Sequence, residues 1–179
     1  YGIYIYAGST LQELKFIDTG SYITAVLFTP DGSRLISGGT QIGQWDVGSG
    51  ADLGQVAASE NKATYLALSP DGKTLASSGA DGIIYLWDAA SGAELRQLRG
   101  HTKTVQGMAF SPDGTLLASA SADSTARVWD ANSGAELQTF SHGNAPVYSL
   151  SFAPDGKSLA TTSNKKIYIW DVTSGSERA

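Results

Sequence analysis

The feature that most constrains this chain is a repeat. Trp-Asp pairs stand at Trp45-Asp46, Trp87-Asp88, Trp129-Asp130 and Trp170-Asp171, spaced 42, 42 and 41 residues apart. Pro-Asp-Gly triplets stand at Pro30-Asp31-Gly32, Pro70-Asp71-Gly72, Pro112-Asp113-Gly114 and Pro154-Asp155-Gly156, spaced 40, 42 and 42. Two independent markers share one period. The chain is therefore a series of like supersecondary units, each too small to bury its apolar face alone.

Residues 100–130 make the most complete unit. Period-two alternation places strands near residues 105–110, 116–120 and 125–129, with an outer strand near 136–140. The Pro-Asp-Gly triplet joins the first two: Pro presets φ, Asp bonds the backbone two residues on, and Gly takes a positive φ. These repeated acids read as structural. Twenty-one Gly against five Pro, with many Ser and Thr, make turns frequent and helices few, so the fold class is all-β. In the first strands large residues alternate with small ones, Met108 and Phe110 opposing Gly107 and Ala109. The third strands carry Trp on one face and Ile84 with Leu86, Val128, or Ile167 with Ile169 on the other. Both faces are thus expected to be covered, as in stacked sheets.

A period of this length, a Trp-Asp signature and four short strands per unit resemble the WD-repeat (WD40) family of β-propellers. The resemblance covers nearly the whole chain. It implies an all-β propeller of four-stranded antiparallel blades, about four of them here, which is a half-propeller or propeller fragment. Blades are expected at residues 22–62, 63–104, 105–146 and 147–179, the last without an outer strand of its own. Residues 3–6 align with 167–170, with Tyr6 in place of Trp. Residues 1–21 therefore read as an orphan third and outer strand, the latter at 11–17.

The family's rings usually close with about seven or eight blades. Four blades form an open arc with apolar flanks, which are rarely left to water. One expectation is a homodimer that closes an eight-bladed ring, with residues 11–17 of one copy completing the last blade of the other and Leu11 and Leu14 as its apolar clasp. The alternative is the C-terminal half of a larger propeller paired with another chain, or an engineered propeller fragment; the start at Tyr1 rather than Met favours this second group.

The resemblance also implies a polar tetrad in the third blade: His101, Ser119, Asp123 and Trp129. Partial tetrads are Ser37 with Trp45, Ser77 and Asp81 with Trp87, and His142 and Thr161 with Trp170, where Asn164 is the nearest stand-in for Asp. Thr19 and Ser59 stand where the first two blades would carry His. Only Trp persists in all four. Burying an indole of roughly 200 Å² contributes about 5 kcal/mol at about 25 cal/mol per Å², against about 1 kcal/mol for one net hydrogen bond.

Ser119, His101 and Asp123 are also the residue types of a catalytic triad. Trp129 would cap the hydroxyl, however, and no nucleophile-elbow sequence surrounds Ser119, so no catalytic role is assigned. An enzyme with a site at the channel mouth would need converging His, Glu or Asp, and the two His are already placed. His101 and His142 lack a third ligand, so no metal and no cofactor are expected.

The family's partners commonly dock on the rim formed by the loops before the first strand and between the second and third. By position these give Lys62, Thr102, Lys103, Asn144, Lys165 and Lys166. A protein or peptide partner is expected, an acidic one by the lysines. A formal charge of -5 and a pI near 4.8 argue against nucleic acid and anionic membranes. The absence of Cys and of a leader-like run makes the cytoplasm the expected compartment.

Overall fold

The computed structural model describes residues 1–57 and 63–178, with Ala57 described by its backbone only. Each repeat is a four-stranded antiparallel meander with strands in sequential order. Blade 1 holds β3 (Ile23–Phe28), β4 (Arg34–Gly39), β5 (Ile42–Asp46) and β6 (Asp52–Ala57). Blade 2 holds β7 (Tyr65–Leu68), β8 (Thr74–Ser78), β9 (Ile84–Asp88) and β10 (Glu94–Leu98). Blade 3 holds β11 (Val105–Phe110), β12 (Leu116–Ser121), β13 (Thr125–Asp130) and β14 (Glu136–Ser141). Blade 4 holds β15 (Val147–Phe152), β16 (Ser158–Ser163), β17 (Lys166–Asp171) and β18 (Glu177–Arg178). Before them, β1 (Gly2–Tyr6) and β2 (Glu13–Asp18) pair as a separate two-stranded sheet. The sheets do not close into a ring. No helix among the described residues is long and apolar enough to cross a membrane.

Two repeated carboxylates build the turns at one end of every blade. In the Pro-Asp-Gly turns, Asp31, Asp71, Asp113 and Asp155 accept the amide two residues on at 2.9–3.1 Å, and the glycines take φ between +69° and +74°. The Thr29 hydroxyl chiefly holds the Asp31 carboxyl down at about 2. In the next turn the Asp of each Trp-Asp pair accepts a Ser amide three residues on, at 2.6–2.8 Å. These bonds occupy the acids with their own backbone.

Packing runs in one direction around the arc. Trp87 lies against Ile36 and Ile42 of blade 1, Trp129 against Ala76, Ile84 and Leu86 of blade 2, and Trp170 against Ala118, Val128 and Phe140 of blade 3. Each indole thus covers the blade before it. The first strands β3, β7, β11 and β15 contact one another in series and line the inner side of the arc. Trp45 finds its cover in the two-stranded sheet, where Ile3 and Ile17 pack against it and Leu35.

The ends differ from expectation in two places. Residue 11 was expected to open an outer strand, but Leu11 sits in the preceding turn at φ +56°, its amide donating to the Ala7 carbonyl, and β2 begins at Glu13. Blade 4, expected to lack an outer strand, has a two-residue one, in which Glu177 and Arg178 pair with Trp170 and Ile169. The Ser-Glu-Arg sequence carries no strand pattern of its own. The Asp171 turn returns the chain onto β17, with Gly175 at φ +72° and the Arg178 guanidinium bonded to Asp171.

Candidate functional site

The third blade assembles all four residues of the expected tetrad. Ser119 comes from the middle of β12, Trp129 from the adjacent β13, His101 from the loop before β11, and Asp123 from the turn between β12 and β13. Antiparallel register sets Leu117 beside Trp129 and Ser119 beside Arg127. The indole can therefore lean along its strand to reach the hydroxyl. Trp129 Nε1 donates to Ser119 Oγ at 2.9 Å, and Ser119 Oγ lies 2.8 Å from His101 Nε2. His101 Nδ1 lies 2.8 Å from Asp123 Oδ2.

This order fixes the proton positions. The ionised Asp123 carboxylate can only accept, so the imidazole carries its proton on Nδ1, and on a neutral ring Nε2 then accepts the Ser119 hydroxyl, whose oxygen accepts the indole N–H. Burial pushes the His101 pKa below its ordinary value despite the neighbouring carboxylate, in keeping with a neutral ring. Burial opposes ionisation of Asp123 as well, yet bonds from Thr125, His101 and the Thr102 amide outweigh it and hold the carboxyl at about 2. Thr125 was not singled out in the sequence. Its hydroxyl donates to Asp123 Oδ1 at 2.6 Å, and the available signal was a hydroxyl residue two places after the Asp.

The other blades keep parts of this system. Trp45 donates to Ser37 at 2.9 Å, Trp87 to Ser77 at 2.8 Å, and Trp170 to Thr161 at 2.8 Å. In blade 4, His142 Nε2 meets Thr161 Oγ1 at 2.8 Å, as expected of its position. Its Nδ1 lies 3.2 Å from the Phe140 carbonyl, so a backbone oxygen takes the place offered to Asn164. Asn164 instead occupies an exposed turn at φ +46°, which turns its side chain to solvent. Asp81 accepts the Ile83 amide and the Tyr85 hydroxyl, both at 3.1 Å. Ser59 and Lys62 lie outside the described residues.

Chemically, the tetrad is a closed circuit. Ser119 is fully buried and bonded on both sides, and Trp129 covers it, so its oxygen faces no space a substrate could enter. Both nitrogens of His101 are hydrogen-bonded within blade 3, and those of His142 bridge Phe140 of blade 3 and Thr161 of blade 4. Among the described residues no group of three His, Asp or Glu could hold a metal ion.

Thr102, Lys103, Asn144, Lys165 and Lys166 are exposed, at the blade edge opposite the Pro-Asp-Gly turns. The loops carrying them are tied to that edge: the Ser121 hydroxyl donates to the Lys103 carbonyl, and Ser163 donates to the carbonyls of Ala145 and Pro146. Among the described residues, Lys103, Lys165 and Lys166 have no carboxylate within ion-pair distance.

Stacked four-stranded blades, each pinned to its predecessor by a Trp and turned by two aspartates, define an open β-propeller arc. The WD domain, G-beta repeat family matches residues 8–46, 53–88, 92–130 and 134–171, so the chain belongs to the WD-repeat family. No curated protein matches the chain. A chain in a structure titled "Crystal Structure of Mitotic Checkpoint Complex" is similar to it over 98% of its length, with 26% identity and a TM-score of 0.87. The present chain spans 56% of that one. The WD40 propeller fold is generally an interaction module.

Proposed function

We propose that this chain is a non-catalytic scaffold that assembles with further propeller blades and presents its loop edge to a protein or peptide. A comparison of equivalent positions carries the reading. Ile84 and Leu86 of blade 2 are 0% exposed beneath blade 3, whereas Ile167 and Ile169 of blade 4 are 72% and 38% exposed. At the other flank Val26 and Phe28 of β3 are 50% and 53% exposed, beside a groove of about 190 Å³ walled by β1. The groove lies where a complete preceding blade would have its two inner strands. Apolar flanks of this kind call for a matching sheet.

The pairing of β1 with β2 and their packing on Trp45 favour completion by further blades over a homodimer clasped by residues 11–17. The β18 stub on the edge the clasp would use favours the same reading. The test is the solution mass. A monomer of 18.7 kDa, or an aggregating chain rescued by an added WD-repeat partner, fits this proposal. A stable species of twice that mass, lost on substituting Leu14 but not Ile167, would support the clasped homodimer instead.

A finer reading rests on the loop edge. Lys103, Lys165 and Lys166 form unpaired cations on a chain of net charge -5, which suits an acidic peptide. Lys103→Glu with Lys166→Glu should weaken such a complex at least tenfold and flatten its salt dependence. Unchanged affinity would remove the lysines from the interface.

A further inference from the structure

Blade 1 departs from blades 3 and 4 at the point where they hold an imidazole. Ser37 is 1% exposed and accepts the Trp45 indole N–H at 2.9 Å, but its own proton has no acceptor among the described residues. The equivalent hydroxyls, Ser119 and Thr161, each face the Nε2 of a histidine at 2.8 Å. Thr19 stands at the histidine position here, with its hydroxyl turned to the carbonyls of Ser21 and Tyr1. A second side chain is missing beside it. Two residues before the Trp, the other blades carry Tyr85, Arg127 and Tyr168, and this one carries Gly43.

Together the two losses leave a cavity of about 140 Å³ bounded by Thr19, Ser37, Gly43, Trp45, Asp52 and Gln55. We propose that this cavity is a binding site for a neutral imidazole ring, supplied either as a small molecule or as the histidine side chain of a bound peptide. The size fits a single ring, since a cavity of about 150 Å³ admits benzene. The chemistry selects a polar ring over benzene. Ser37 Oγ accepts the Trp45 N–H and keeps its own proton free to donate, which suits an unprotonated ring nitrogen. Among the lining residues, the exposed Asp52 uses Oδ1 on the Gly54 amide, which leaves Oδ2 to accept a ring N–H. Imidazole has one acceptor and one donor on opposite sides of a five-membered ring. His101 is held in that way between Ser119 and Asp123.

The four indole N–H resonances report the site directly. Titration with imidazole should shift the Trp45 resonance saturably and leave Trp129 and Trp170, whose hydroxyls already face histidines, unmoved. Ser37→Ala should weaken binding about tenfold, as for one lost hydrogen bond. Gly43→Tyr, which refills the missing ring, should abolish it. Thr19→His, which supplies the imidazole covalently, should abolish it while raising the unfolding temperature, and covers the case in which Gly43→Tyr does not fold. N-acetyl-histidine N-methylamide is the second probe. Binding of both probes assigns the site to a peptide-borne side chain, and binding of imidazole alone assigns it to a small molecule. Equal shifts at all four indoles, no shift at Trp45, or a shift retained in Thr19→His would overturn the proposal and leave the cavity to water.

Discussion

Replacing Ser119 by Ala removes one oxygen and strands two buried partners. Trp129 Nε1 loses its acceptor at 2.9 Å, and His101 Nε2 loses its donor at 2.8 Å. Both side chains are buried, so bulk water does not replace the hydroxyl. Each orphaned group costs about 1–3 kcal/mol, so the substitution should destabilise by about 2–6 kcal/mol. Ser37→Ala strands one donor only, Trp45 Nε1, next to a polar cavity that can admit water, and should cost about 1 kcal/mol. The assay is equilibrium urea unfolding followed by tryptophan emission, comparing midpoints at constant slope. A double variant sharpens it: His101→Leu added to Ser119→Ala removes one stranded acceptor and should cost less than the two single losses summed. Equal losses for Ser119→Ala and Ser37→Ala, or strict additivity in the double variant, would show that the tetrad is not a coupled circuit.

Three further outcomes follow from the same geometry. Burial lowers the His101 pKa in the folded chain, so the unfolded chain takes up the proton first, and stability should fall as pH drops below about 6.5; a second decline should begin below about 4 as Asp123, held at about 2, protonates in the unfolded chain. His101→Gln should shrink the first decline to the part left by His142, whose pKa burial also lowers, and should shrink the second as well, because Asp123 loses the His101 bond; pH-dependent urea midpoints will show both. Gly32→Ala and Gly92→Ala impose the same strain, at φ +70° and +72°, but a Cβ at Gly32 meets nothing, whereas one at Gly92 meets the Val56 carbonyl oxygen of the neighbouring blade at 1.8 Å. Gly32→Ala should cost about 1–2 kcal/mol and Gly92→Ala clearly more; equal thermal shifts would remove the close blade contact from the account. Thr125→Val should raise the Asp123 pKa, measurable by carboxyl NMR titration, because it deletes the 2.6 Å bond on Oδ1.

Much of the fold was legible because a repeat states its rule several times. The Pro-Asp-Gly and Trp-Asp markers gave the blade boundaries, and the composition of single turns gave their chemistry. His101, Ser119, Asp123 and Trp129 could be placed together since each sits at a fixed offset within one unit. His142 shows the limit of that reasoning. Its partner is the Phe140 carbonyl, and a backbone oxygen carries no residue identity for a sequence to display. Thr125 was missed for a related reason, as one hydroxyl among many in a Ser- and Thr-rich chain.

The sequence alone determined what is local and periodic: strand, turn, strand, and the Trp that ends each third strand. It did so because period-two alternation and turn residues act over a few neighbours. The tertiary structure decided what depends on neighbouring blades. Only there does Ile167 differ from Ile84, since the same residue type is buried or exposed according to whether another sheet stands beside it. The space beside Trp45 is likewise decided in three dimensions, where the absence of an imidazole from one loop and of a side chain at Gly43 add up to a single cavity.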